Sequence, residues 1–183
     1  MQVNVSGIDL CRGTLAAHVT TTLLINGLSP SQLTLEITES VLMQRLDSAL
    51  ATMNQLRELG VGLSVDDFGT GYSSLAHLST LPVDCLKVDR SFIHNLRCGS
   101  KEATVVRAIV NLGSSLGKVV IAEGIETASQ FDQLREMGCR VGQGFHMSRP
   151  LTPQAVDSLL LCLLAEAPYA APMTGMTGSV ALH

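Results

Sequence analysis

Residues 65–75 read VDDFGTGYSSL, and this stretch sets the expectations for the rest of the chain. An apolar run ends in two adjacent carboxylates, Asp66 and Asp67, and a loop with two glycines then leads into a predicted helix. Neighbouring side chains of a regular strand point to opposite faces, so both carboxylates can reach one charged group only where the backbone turns. They repel each other unless a proton or a cation lies between them, and Mg²⁺ and Mn²⁺ prefer such oxygen ligands. The alternative is an Asp N-cap followed by a glycine turn.

Length and composition restrict the class of protein. The chain has 183 residues, enough for one domain with a sizeable core. A net charge of −4 argues against DNA, RNA or an anionic membrane surface as the main partner. The five cysteines show no CxxC spacing, which disfavours a zinc site or a disulfide framework. No apolar run is long enough to span a membrane and the N-terminus has no signal-peptide pattern, so we expect a cytoplasmic protein.

Strand-like and helix-like segments alternate along the whole chain. The predicted strands cover residues 2–6, 33–39, 61–66, 85–89, 118–123 and 140–145, and the predicted helices cover residues 13–27, 46–59, 73–81, 101–116, 127–137 and 153–166. This alternation predicts parallel βαβ units, arranged either as a doubly wound sheet or as most of a (β/α)8 barrel. One domain is expected over residues 1–166, followed by a disordered tail over residues 167–183.

Successive residues of each predicted strand point to opposite faces, and this parity separates an aliphatic face from a polar face. The polar residues lie toward the C-terminal ends of successive strands, and they are Asn4, Glu36, Asp66, Lys87, Glu123 and, in a similar place, Gln143. Catalytic groups of (β/α)8 barrels gather at that rim, contributed by several strands. A dinucleotide-binding sheet would instead need GxGxxG after its first strand, and none is present. The barrel is therefore the preferred fold.

Each polar residue also has a simpler structural interpretation. Glu36 taken alone could be an exposed strand residue. Lys87 and Asp89 could form an ordinary ion pair. Glu123 and Glu126 could be carboxylates near a helix N-terminus, stabilised by the helix dipole. Their common placement at one end of the same sheet favours a site.

An oxygen-rich rim of this kind suits phosphoryl chemistry. It can hold two divalent ions about 3.5–4 Å apart, the arrangement used for in-line displacement at phosphorus. Lys87 would add a point charge for a phosphate oxygen or orient the attacking water. No Ser-His-Asp or Cys-His arrangement competes as a nucleophile. Because the rim has no cysteine or histidine, Zn²⁺ is less favoured than Mg²⁺ or Mn²⁺.

Six segments together resemble the EAL domain. They are NVS from Asn4, LEITES at 35–40, DDFGTGYSSL at 66–75, LKVDRSFI at 86–93, AEGIET at 122–127 and QGFHMSRPL at 143–151. The resemblance spans about residues 2–151. It implies a bacterial (β/α)8-barrel phosphodiesterase that opens cyclic di-GMP to linear pGpG with Mg²⁺ or Mn²⁺, two ions in a complete site.

The resemblance also assigns roles in the chemistry. The implied metal ligands are Asn4, Glu36, Asp66 and Asp67. Lys87 is similar to a catalytic lysine near the attacking water. Glu123 resembles a late-strand glutamate that is a metal ligand or a proposed base.

Further residues are implied as support for the substrate and the loop. Glu126 would brace the loop after Asp67, and Gln143 would lie near the substrate or a bound water. Asp89, Gly69 and Ser73 are counted with this group. The resemblance also implies a homodimer through the 68–74 loop.

One departure from the family pattern affects what this chain can do. The Glu-Ala-Leu tripeptide that names the family, with its metal-binding glutamate, occurs nowhere in the 183 residues. The resemblance begins around the third barrel strand, so we expect a barrel without its first two strands, with exposed edges and an unfilled interior. Three hypotheses follow: a phosphodiesterase, a non-catalytic module that binds cyclic di-GMP or a protein, and a truncated product without function.

Overall fold

The computed structural model of the chain describes residues 1–71 and 75–166. Within these residues six strands form one parallel sheet: β1 (Gln2–Asn4), β2 (Thr34–Thr38), β3 (Gly62–Phe68), β4 (Cys85–Val88), β5 (Val119–Glu123) and β6 (Val141–Gln143). The strands lie in sequence order, without the reversal of a doubly wound sheet. Over the same residues β1 and β6 do not pair with each other, so the sheet is an open part of a (β/α)8 barrel. The barrel prediction is confirmed in this partial form.

Helices connect the strands. In the described part of the chain they are α1 (Gly7–Cys11), α2 (Leu15–Ile25), α3 (Glu39–Glu58), α4 (Leu75–Thr80), α5 (Arg90–His94), α6 (Lys101–Ser115), α7 (Ala128–Glu136) and α8 (Pro153–Glu166), with a 3-10 turn at Pro30–Gln32. All six predicted strands and all six predicted helices are present. Most of their boundaries differ from the prediction by one or two residues.

Three helical features were not predicted. Helix α3 begins seven residues earlier than expected, at Glu39, and a non-helical residue, Arg45, divides it into two pieces. Helices α1 and α5 have five residues each, too few to show a helical period in the sequence. Each is set instead by a local cap, because the side chains of Ser6 and Asp89 accept hydrogen bonds from backbone N–H groups in the first turn.

The core lies between the helices and the aliphatic side of the strands. It includes Ile37 on β2, Leu63 on β3 and Leu86 on β4, which are completely buried. Met53 of α3 and Val106 of α6 cover these strands from the helical layer. The opposite side of the sheet is left to the polar residues that the parity analysis selected.

Two predictions concern residues outside the described part of the chain: the role of Ser73 and the tail over residues 167–183. Within the described residues, no helix combines the length and apolar character needed to cross a membrane.

Candidate functional site

Lys87 lies at the centre of a cluster of charged side chains on the polar face of the sheet. Its Nζ atom is 2.6 Å from Glu123 Oε1, 2.7 Å from Glu36 Oε1 and 3.4 Å from Asp66 Oδ1. The side chains of Lys87 and Glu36 are only 3% and 2% exposed. Carboxylates from three strands therefore meet around one lysine on β4, and the interpretation of Glu36 as an exposed strand residue is wrong.

Strand register explains how these groups meet. Glu36 on β2 is aligned with Asn4 on β1, and Glu123 on β5 is aligned with Gln143 on β6. Aligned residues of parallel strands point to the same face at the same height. Gln143 Nε2 donates a 2.7 Å hydrogen bond to Glu123 Oε1, the atom that also contacts Lys87. The carboxylate of Glu123 is thus held from two sides.

The surroundings change the proton affinity of both partners of this contact. Burial alone would lower the pKa of Lys87, but hydrogen bonds to Glu123 and Glu36 outweigh it and raise the pKa above its ordinary value of 10.5. Burial raises the pKa of Glu123 above 4.5, against the opposing effect of Lys87. Lys87 therefore remains a cation at neutral pH, and Glu123 is a stronger proton acceptor than an exposed glutamate.

The pair Asp66–Asp67 sits at an irregularity of β3. The register with β4 shifts between Val65 and Phe68, and Asp67 has a φ of +54°. This is a β-bulge, in which an extra residue bends the strand. The predicted turn of the backbone at the two carboxylates is confirmed. Because both residues lie inside β3 and are followed by its last residue, Phe68, neither is the N-cap of a helix, and that alternative is wrong.

Asp89 interacts with Asp67 and with the start of α5. Its carboxylate accepts hydrogen bonds from the backbone N of Ser91, at 2.9 Å, and from the Ser91 hydroxyl. Burial alone would raise the pKa of Asp89, but the Ser91 bonds outweigh it and lower the pKa. Partial burial raises the pKa of Asp67, and the charges of Asp66 and Asp89 add to this. In the described residues Asp89 is not one of the carboxylates that Lys87 contacts, so the simple Lys87–Asp89 ion pair is not found.

A residue absent from the predicted site braces the loop after Asp67. Glu39 Oε2 accepts hydrogen bonds from Gly69 N at 2.8 Å and from Gly71 N at 3.2 Å. Glu39 is the first residue of α3 and is 1% exposed. The alternation of side chains along a strand could not select Glu39, because this residue lies where β2 ends and α3 begins. An acidic residue there looks like an ordinary helix start.

The sequence predicts that Glu126 braces the loop after Asp67, but the hydrogen bonds that hold residues 69 and 71 come from Glu39. The backbone N of Glu126 donates to Gln130 Oε1, and its half-exposed carboxylate lies 3.9 Å from His94 Nδ1. Gly69 has a φ of +101°, and a Cβ at this position would lie 3.0 Å from the ring of Phe92. The loop therefore needs glycine at Gly69.

A cavity of about 600 Å³ lies beside β6 and opens next to the charged cluster. Glu123 and Gln143 are among the residues that line it. Arg149 and Phe145 also line it, and the guanidinium of Arg149 lies 4.8 Å from the centre of the Phe145 ring. The size suits a small-molecule ligand. Phe145 was not predicted as a site residue, because a single aromatic residue after the last strand carries no periodic signal.

The donor atoms of the cluster fit a hard divalent cation in their chemistry, since carboxylate oxygens predominate. Asp66 Oδ1 is buried, and apart from its contact with Lys87 it has no hydrogen-bond partner among the described residues. Asn4 is exposed at the end of the edge strand. Over residues 1–71 and 75–166, no three His, Cys, Asp or Glu side chains are arranged to hold one ion. The carboxylates are centred on the ammonium group of Lys87.

Comparison with known proteins gives the same assignment as the motifs. The EAL domain family model matches residues 1–150. The bifunctional diguanylate cyclase/cyclic di-GMP phosphodiesterase MucR of Pseudomonas aeruginosa is 46% identical over 149 residues, which are 81% of this chain and 22% of that protein. The cyclic di-GMP phosphodiesterase NbdA of the same organism is 44% identical over 158 residues, 86% of this chain and 20% of that protein. The chain thus spans about a fifth of the length of these relatives.

Solved structures share the fold as well. The cyclic di-GMP complex of the PaMucR phosphodiesterase superimposes with a TM-score of 0.81 at 44% identity, over 85% of this chain and 69% of that one. The EAL domain of Mycobacterium smegmatis DcpA gives 0.82 at 37% identity, over 88% and 72%. A manganese/cyclic di-GMP complex of Klebsiella pneumoniae BlrP1 gives 0.74 at 31% identity, over 79% and 37%. On the family match, the sequence identity and the shared fold, this chain belongs to the EAL domain family.

Proposed function

We propose that this chain carries most of the catalytic site of a phosphodiesterase that hydrolyses cyclic di-GMP to linear pGpG. The supporting observation is the cluster in which Lys87 contacts three carboxylates at the rim of a partial (β/α)8 barrel, beside a cavity of about 600 Å³. The relatives MucR and NbdA carry the name of this activity. The rim of the C-terminal strand ends is where barrel enzymes place catalytic groups.

The site would use Mg²⁺ or Mn²⁺, held by Asn4, Glu36, Asp66, Asp67 and Glu123. Such an ion offsets charge on the phosphoryl oxygens and lowers the pKa of a bound water. Support comes from the oxygen-rich donor set and from the BlrP1 complexes that contain manganese or calcium with cyclic di-GMP.

The residues of the chain itself would bind, orient and accept a proton. The Lys87 ammonium offers a fixed positive charge to a phosphate oxygen or to the attacking water. Glu123, whose pKa is raised by burial, is the proposed proton acceptor. Gln143 keeps the Glu123 carboxylate in one orientation through its 2.7 Å hydrogen bond. Asp89 holds the start of α5 next to Asp67.

A second candidate function is a module that binds cyclic di-GMP without hydrolysing it. It is favoured by the finding that no three acidic, His or Cys side chains of the described residues are arranged around one ion. An incomplete donor set can hold a ligand and still lack the charge needed to stabilise the transition state.

Two further expectations belong to this proposal. A homodimer would form through the 68–74 loop, of which residues 69 and 71 are held by Glu39. The cytoplasmic location remains a prediction from the sequence.

The test is to incubate the purified chain with cyclic di-GMP and Mn²⁺ or Mg²⁺ and to follow pGpG by chromatography. We expect turnover that Glu36→Ala and Lys87→Ala each reduce about 100-fold or more. Glu58→Ala, at an exposed position of α3, is the matched control and should retain turnover. Binding of cyclic di-GMP without pGpG would favour the second candidate, and absence of both binding and turnover would contradict both candidates.

A further inference from the structure

Lys87 makes more contacts than a lysine that only touches substrate would need. Its Nζ atom lies within 2.6–3.4 Å of carboxylate oxygens from β2, β3 and β5. An ammonium group has three N–H donors, and three oxygens surround it here. The positive charge of the lysine is therefore shared among three carboxylates of the protein.

The contacted oxygens belong to three of the carboxylates that the proposed function assigns to a divalent cation. Carboxylate oxygens lie about 2.0–2.6 Å from Mg²⁺ or Ca²⁺. An ammonium nitrogen 2.7 Å from Glu36 Oε1 and 2.6 Å from Glu123 Oε1 already neutralises part of the negative charge that would attract a divalent cation to these carboxylates. The two cations would also repel each other across a short distance in a buried site.

We propose that Lys87 is an internal counter-cation that competes with the divalent metal ion for the carboxylates of Glu36, Asp66 and Glu123. This inference rests on the proposed function only in taking those carboxylates as the metal ligands. Lys87 neutralises one of three clustered negative charges, so it holds the strand ends together and at the same time weakens the binding of a second cation.

Two other roles for Lys87 predict different results. If Lys87 acts only on the substrate or the attacking water, its removal leaves metal affinity unchanged. If Lys87 mainly holds the carboxylates in a metal-binding arrangement, its removal weakens metal affinity. Competition alone predicts that the metal binds more tightly when the lysine is gone.

The test compares the full chain with Lys87→Met by calorimetric titration with Mn²⁺ alone. We expect the Mn²⁺ affinity of Lys87→Met to be about 10-fold higher or more, because a positive charge next to the ligands has been removed. Without divalent ions its Tm should fall below that of the wild type, and Mn²⁺ should raise its Tm by more than it raises that of the wild type. Unchanged affinity, weaker affinity or no binding by the variant would overturn the inference.

The chain offers a matched control in Lys118, another partly buried lysine. Lys118 Nζ donates to the backbone carbonyls of Leu81 and Val83, away from the carboxylate cluster. Lys118→Met should lower the Tm without changing the Mn²⁺ affinity. Lys87→Arg keeps the charge and should keep an affinity close to that of the wild type.

A measurement on the wild type applies if Lys87→Met does not fold. In lysine-selective ¹⁵N NMR, Mg²⁺ should shift the Nζ resonance of Lys87 and leave that of Lys118 in place. Mg²⁺ binding without a shift of the Lys87 signal would overturn the inference. These outcomes can be told apart from those that test the proposed function. A higher Mn²⁺ affinity of Lys87→Met, together with no pGpG formation by the wild type, would contradict only the hydrolysis. Formation of pGpG by the wild type, together with equal Mn²⁺ affinities of the wild type and Lys87→Met, would contradict only the competition.

Discussion

Two buried ionic residues organise the rim of the barrel at the scale of single side chains. Lys87 gathers carboxylates from three strands, and Glu39 holds the loop that follows Asp67. Both act through charge-assisted hydrogen bonds, which are roughly twice as strong as neutral ones. Because Glu39 and Lys87 are almost completely buried, the loss of either leaves polar groups that water cannot easily satisfy.

We predict that Glu39→Ala destabilises the chain. The substitution removes the acceptor of the backbone N–H groups of Gly69 and Gly71. Hydrogen bonds to a charged group contribute about 1.5–3 kcal/mol, so we expect the free energy of unfolding to fall by about that amount. Urea denaturation measures it. Glu58→Ala, an exposed glutamate on the same helix, should change the free energy by less than about 0.5 kcal/mol. Equal effects of the two variants would contradict the role of Glu39.

We predict that Asp67→Asn stabilises the chain at neutral pH. Partial burial and the charges of Asp66 and Asp89 raise the folded-state pKa of Asp67 above its ordinary value of 3.8. A raised pKa means that the proton favours the folded state. The contribution of Asp67 is therefore complete below pH 3.8 and is lost as the pH rises through the folded-state pKa. Asparagine avoids this loss and also tolerates the positive φ of the position.

The measurement is the free energy of unfolding of Asp67→Asn and wild type from pH 3 to pH 7, with a chelator present. The advantage of the variant should grow with pH across the window that begins near 3.8. Asp132→Asn, at an exposed position of α7, controls for the removal of one negative surface charge. An advantage that shrinks as the pH rises would refute the prediction.

At the scale of elements, close approach of α6 to β5 fixes the helix on the sheet. A Cβ added at Gly113 of α6 would lie 2.3 Å from Val120 Cγ2 on β5. Gly113 is buried, and Val106 and Ile109 of the same helix are buried with it. Glycine is a poor helix former, so its place inside α6, two residues before the helix ends at Ser115, reflects packing and not helix propensity.

We predict that Gly113→Ala destabilises the chain although alanine is the better helix former. The gain in helix propensity is about 1 kcal/mol, and overpacking of a tight core costs about 1–3 kcal/mol. The expected net loss is up to about 2 kcal/mol in the free energy of unfolding, measured with urea. Ser114→Ala, at the next and exposed position, should be neutral or slightly stabilising. A more stable Gly113→Ala would show that α6 can move away from the sheet.

At the scale of the whole molecule, the described sheet is open at β1 and at β6. Apolar side chains are exposed near both edges, with Val3 and Ile8 on one side and Phe145 and Met147 on the other. Unpaired strand edges are templates for pairing with another chain.

We predict that the purified chain self-associates as its concentration rises and that Val3→Lys reduces this association. A lysine on an edge strand disfavours the approach of a second strand, because its charge would have to be desolvated. Sedimentation velocity over a concentration series measures the effect. Asn111→Lys, at an exposed position of α6, adds the same charge away from the edge and should not reduce the association. A similar reduction by both variants would point to net charge and not to the edge.

The sequence by itself determined the elements of this fold and most of the rim. Strands with a period of two and helices with a period near 3.6 are local patterns, so the order of the six strands and of six helices could be read from neighbouring residues, while the five-residue α1 and α5 could not. Parity also selected Glu36, Lys87 and Glu123 for one face, because alternation along a strand is a local property. The motifs then identified the family before any contact between strands was known.

Tertiary structure alone decided how these residues are connected. The place of Lys87 among three carboxylates depends on the register of four strands, and the brace from Glu39 joins residues 30 and 32 positions apart in the chain. The positive φ of Asp67 follows from a register shift between β3 and β4. Each of these features depends on residues that are distant in sequence, and single-sequence patterns carry no information about such pairs.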